Sequence, residues 1–161
     1  MSGKLDHAWV VVSGEDFDAT VAHFTECLKV DFGETYHRED LQLRIAFDVD
    51  AGLEIIAPLS DEGFFAELLK ARGSGYWVPV FKVASIERAW EDFRKAGLPV
   101  EGEFNLLGDE PWAHRYQILR ESKPDTRFGI ELLIGEFQLT GDEGKPIFPR
   151  WTRDNLAILG G

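Results

Sequence analysis

Two glutamates set in matching apolar runs are the residues of this chain best placed to do chemistry. The run Gly-Leu-Glu-Ile-Ile-Ala-Pro, residues 52–58, carries Glu54, and 77 positions later Gly-Ile-Glu-Leu-Leu-Ile-Gly, residues 129–135, carries Glu131. Alternate side chains of a strand face opposite ways, so Leu53, Ile55 and Ala57 point one way while Glu54 and Ile56 point the other. Glu131 stands likewise opposite Ile130 and Leu132. A buried ionised carboxylate is costly unless a cation, a hydrogen-bond donor or a proton compensates it. Two equivalent strands that each carry one therefore call for a shared explanation, and His7, at the start of an apolar run near the N-terminus, is the nearest candidate to join them.

The elements that would position these groups recur in the same order. Residues 5–12 read as a strand with His7, Trp9 and Val11 on one face, followed by a helix whose buried stripe is Phe17, Val21, Phe24 and Leu28, extended by Cys27. Residues 31–39 and 41–48 read as a hairpin, residues 52–58 as a further strand, and Ser60 as the cap of a short helix that stops at Gly73. Residues 76–83 then give a strand, Ser85 caps a helix with Ile86, Trp90 and Phe93 inward, and Gly97 ends it ahead of Pro99. Strands follow near residues 100–105, 112–120 and 128–135. The expected fold is α+β: two tandem βαβββ modules, 1–74 and 75–137, and an irregular tail at 138–161 rich in Gly and Pro.

Composition bounds the partners. With 29 acidic against 17 basic residues the net charge is −12, which repels phosphate backbones and anionic lipids and suits solubility or an acidic cleft for a cationic ligand. Neither nucleic acid nor membrane is expected as a partner, since no apolar run is long enough to span a bilayer. The opening residues do not read as a secretory leader and Cys27 is the single cysteine, so a cytoplasmic location is expected.

Strand, helix, three strands, given twice, with a carboxylate in each fourth strand and a histidine in the first, resembles the vicinal oxygen chelate superfamily of glyoxalases, methylmalonyl-CoA epimerases, extradiol dioxygenases and bleomycin-resistance proteins. The resemblance covers roughly residues 5–137 and rests on residues 13–24, 52–58, 77–93 and 129–134. It implies that the two modules form an open cup-shaped mixed sheet with helices outside, holding a metal ion and a small substrate, with ligands from the first and fourth strands of both modules. His7, Glu54 and Glu131 match three of those positions, while Val78 stands where the second histidine would be. An aliphatic side chain donates no lone pair. His114, on a strand of the second module, could substitute for it.

Two function classes stand side by side. In one, a weakly held divalent ion (Zn, Mn, Fe or Ni) on His7, Glu54 and Glu131 polarises a small substrate, with Glu54 and Glu131 as the catalytic carboxylates of lyase, isomerase or dioxygenase chemistry. In the other, a metal-free cup sequesters a small molecule without turnover, as Val78 suggests. Trp9, Arg44, Val78 and His114 would face the ligand in either case. Arg44 reaches the cup if Leu43, Ile45 and Phe47 pack against the helices; a plain ion pair with an acidic neighbour is its alternative role. The resemblance further implies a homodimer.

Overall fold

In the computed structural model of the chain, residues 3–104, 110–113, 116–126 and 130–139 are described. The elements run β1 (Lys4–Val11), α1 (Phe17–Leu28), β2 (Tyr36–Arg38), a 3-10 turn (Glu39–Leu41), β3 (Leu43–Asp48), β4 (Leu53–Pro58), α2 (Phe64–Arg72), β5 (Tyr76–Lys82), α3 (Ile86–Lys95), β6 (Val100–Phe104), β7 (Tyr116–Pro124) and β8 (Leu133–Leu139). The strands form one 8-stranded mixed sheet in the order β2-β3-β4-β1-β5-β8-β7-β6, curled into a cup. β4 lies parallel to β1 and β8 parallel to β5, while β1 and β5 run antiparallel at the centre. The chain is thus βαβββ twice, with the two first strands side by side.

Each face of the sheet has its own core. On the outer face Val10, Val12, Ala46, Ile55 and Ala57 pack under α1, whose Phe17 is fully buried. Burying such a side chain contributes about 1.5–3 kcal/mol. Val83, Ile86, Ala89 and Ile134 make the equivalent contact under α3. The concave face collects Trp9, Val11, Ile45, Phe47, Val78 and Leu133, and α2 adds Phe65 and Leu68 to it. Local chemistry sets the helix ends: Ser85 Oγ accepts from Arg88 N at 3.3 Å, and Gly97, at φ 74°, takes the left-handed turn that a side chain would resist.

Several sequence expectations are corrected. Gly63, not Ser60, precedes α2, and Ser60 instead closes its own turn onto Glu62. Cys27 is exposed beside His23, and Leu28 is 64% exposed, because α1 reaches over the sheet only through its first turns. Leu43, Ile45 and Phe47 face the cup, not α1. The register decides this: Phe47 lies opposite Glu54 and Ile45 opposite Ile56, and directly opposed residues share a face. In the second half, β7 and β8 begin at Tyr116 and Leu133, several residues later than expected. β8 continues to Leu139, past the expected start of the tail at 138, and its Glu136 carboxylate accepts from Ile86 N at the start of α3, 3.0 Å away. His114 and the tail beyond residue 139 lie outside the described residues.

Candidate functional site

The sheet register brings His7 and Glu54 together. β1 and β4 pair with Trp9 opposite Glu54, so His7, Trp9 and Glu54 share the concave face on adjacent strands. His7 is 2% exposed and Glu54 6%. Its Nδ1 lies 2.9 Å from Asp6 Oδ2 and its Nε2 3.2 Å from Glu54 Oε2. Burial alone would lower the imidazole pKa, but the hydrogen bonds to Asp6 and Glu54, with the charges of Glu54 and Glu121, outweigh it and raise His7 from 6.5 to about 10. His7 is therefore an imidazolium at neutral pH. The Trp9 indole Nε1 also lies 3.0 Å from Nε2. One ring nitrogen cannot donate to Glu54 and accept from Trp9 at once. With carboxylates on both sides of the ring the charged form prevails, and the indole N–H lies alongside that ion pair.

Glu131 does not join them. Val12 N donates to Ile56 O at 2.9 Å, and Val83 N donates to Gly135 O at 2.8 Å, which makes Ile56 and Gly135 the equivalent residues of the two halves. The counterpart of Glu54 is then Leu133, which lies opposite Val80 as Glu54 lies opposite Trp9. Glu131 precedes β8 and its Oε1 sits 3.4 Å from Arg72. Val78 does occupy the place equivalent to His7, fully buried on the concave face.

Arg44 is on the other face. It lies opposite Ala57, its guanidinium stacks 4.3 Å over the Phe17 ring, and it pairs with Asp18 of α1. This is the ion pair with an acidic neighbour, and it removes Arg44 from the ligand's surroundings. Trp9 does line the concave cavity.

One site residue escaped the sequence reading. Glu121 of β7, opposite Gly135, is 4% exposed and lines the same cavity as Glu54. Burial pushes its carboxyl up from 4.5 to about 8, with the charges of Glu54 and Asp6 adding and those of His7 and Arg38 opposing. Its Oε1 is buried and has no hydrogen-bond partner among the described residues. The only signal for it was a lone acidic residue in a strand, because the ladder between β7 and β8 shifts between Ile118 and Arg120 and breaks the alternation that would have assigned its face.

The cavity these groups line is small, about 30 Å³, room for one or two waters. Trp9, Tyr36, Phe65 and Trp112 supply aromatic walls, and Arg38, Glu54, Glu110 and Glu121 the charged ones. The Trp112 ring stands edge-on to Phe47 at 5.3 Å and to Tyr36 at 5.7 Å, closing the cup over β2 and β3. Arg38 holds Asp40 through two bonds of 3.0 and 3.1 Å.

The donor set does not fit a superfamily-type metal centre. His7 and Glu54 supply half of one, and Val78 and Leu133 stand at the other two positions with no lone pairs to give. Among the described residues no group of three or more His, Cys, Asp or Glu side chains is placed to hold an ion.

No model of a known protein family matches the sequence, and no curated protein matches it either. Solved structures do. Methylmalonyl-CoA epimerase from Mycobacterium tuberculosis is 17% identical with a TM-score of 0.64, covering 86% of this chain and 89% of its own. A hypothetical protein from Bacillus halodurans is 19% identical with a TM-score of 0.70, covering 89% of this chain and 100% of its own. A methylmalonyl-CoA epimerase solved with methylmalonyl-CoA and ammonium is 20% identical with a TM-score of 0.63, covering 91% of this chain and 100% of its own. The chain therefore shares the fold of these solved structures, methylmalonyl-CoA epimerases among them. No helix among the described residues is long and apolar enough to cross a membrane.

Proposed function

We propose that this protein binds a small molecule in the cup without a metal ion, as a sequestering member of the fold. The observation that carries the reading is the pair Val78 and Leu133, which replaces both ligand positions of the second half with aliphatic side chains while His7 and Glu54 satisfy each other in the first. Aromatic walls around a few fixed polar groups suit a small-molecule site. The test is metal analysis of protein purified without chelator, followed by screening for cup ligands with and without EDTA. Stoichiometric metal, or binding that EDTA abolishes, would overturn the reading.

A second reading, isomerase-type proton transfer, is favoured by one observation. Two carboxyl groups line one cavity in different surroundings, Glu54 3.2 Å from the His7 ring and Glu121 with its pKa pushed up to about 8 by burial. Mass spectrometry of a bound ligand recovered from D₂O separates the two: unchanged ligand supports sequestration, and deuterium at carbon supports turnover. The homodimer implied by the resemblance and a cytoplasmic site of action belong to the same proposal, and light scattering tests the former.

A further inference from the structure

We infer that the cup takes a small organic ammonium ion with N–H groups to donate, anchored on Glu121 of β7. This inference rests on the binding reading above and names the ligand's chemistry. Its starting point is Glu121, which lines the cavity and whose buried Oε1 has no hydrogen-bond partner among the described residues. Buried carboxyl oxygens are ordinarily satisfied, and an orphan beside a cavity can be completed by a donor arriving from outside.

The charge around it selects the donor's sign. Three carboxyl groups, Glu54, Glu110 and Glu121, line the cavity with one guanidinium, Arg38, which grips Asp40 with two bonds; Glu54 is paired with His7, and Glu121, held protonated by burial, ionises when a cation arrives beside it. An anion entering here meets like charge, whereas a cation is attracted by the carboxylates. Hydrogen bonding selects the head group: a quaternary head would leave Oε1 without its hydrogen bond, whereas a primary ammonium displaces the Glu121 proton and makes a charge-assisted one.

The full-length protein, ¹⁵N-labelled, is titrated with n-butylammonium chloride, tetramethylammonium chloride, sodium butyrate and butyramide at matched ionic strength, following the indole N–H signals of Trp9 and Trp112. Butylammonium is expected to move both signals with millimolar affinity, at least about 10-fold tighter than the other probes, as one charge-assisted hydrogen bond implies. Glu121→Gln is expected to remove that preference, Glu121→Asp to retain it in weakened form, and Arg44→Ala, on the outer face, to leave it unchanged. Equal binding of tetramethylammonium or butyramide, tighter binding of butyrate, or full affinity in Glu121→Gln would overturn the anchoring on Glu121 while leaving a cup that binds small molecules. Silence of both indoles to every probe up to about 100 mM, well above the affinity expected of fragments this small, would overturn the binding reading as well.

Discussion

Replacing Glu121 by Gln should make the protein more stable in alkali, and the structure sets how much. Glu121 keeps its proton in the folded state up to about pH 8, while the unfolded chain releases it near 4.5. Between those values the folded protein holds more protons, so stability falls as pH rises; below 4.5 neither state is ionised and the effect vanishes. Each pH unit in that window removes about 1.4 kcal/mol, up to about 4–5 kcal/mol by pH 8. Gln has the same shape and no proton to lose. Urea denaturation of both proteins from pH 4 to 9 should therefore show nearly equal stability at pH 4 and a growing advantage for Glu121→Gln, levelling off above pH 8. A difference that does not vary with pH, or that favours the native residue at pH 8, would show that Glu121 is ionised and solvated, and would refute the reasoning that places it in a dry cavity with Glu54.

His7 titrates in the same sense over a higher window: its stabilisation is full below about pH 6.5 and drains as pH rises through about 10, so His7→Ala should cost about 3–5 kcal/mol at pH 6, leaving Asp6 and Glu54 uncompensated, and much less at pH 10. Val78→His alone should add little metal affinity because Leu133 still lacks a lone pair, whereas Val78→His with Leu133→Glu should raise zinc affinity by at least about 100-fold in isothermal titration. Gly135→Ala should destabilise by about 1–3 kcal/mol in thermal unfolding, since its methyl group would lie 2.4 Å from the Phe137 ring, beside His7. Arg44→Ala should leave cup ligands unaffected and change stability by about 1 kcal/mol or less, its partner Asp18 being exposed.

The sequence by itself determined the fold. The order strand, helix, three strands is written twice in the hydrophobic pattern, and the alternation in residues 5–12 put His7, Trp9 and Val11 on one face, which the curled sheet makes the concave one. The alignment of the two first strands likewise placed Val78 opposite the role of His7, because Val12 and Val83 end those strands with the same hydrogen bond. What alternation could not supply was longitudinal register. Side chains repeat every second residue along a strand, so a slip of two leaves every residue facing the expected way; Glu131 looked equivalent to Glu54, and only the ladder between β5 and β8 showed Leu133 in that place. The facing of β3 was undecidable for a related reason. Both faces of a sheet covered on both sides are apolar, so Leu43, Ile45 and Phe47 would suit either, and pairing with β4 turned them inward and sent Arg44 out to Phe17 and Asp18. Glu121 belongs wholly to the tertiary structure: its burial, its raised pKa and its unpartnered oxygen arise from groups on β1, β2 and β4 that are distant in the chain, and no local pattern encodes a neighbour's charge.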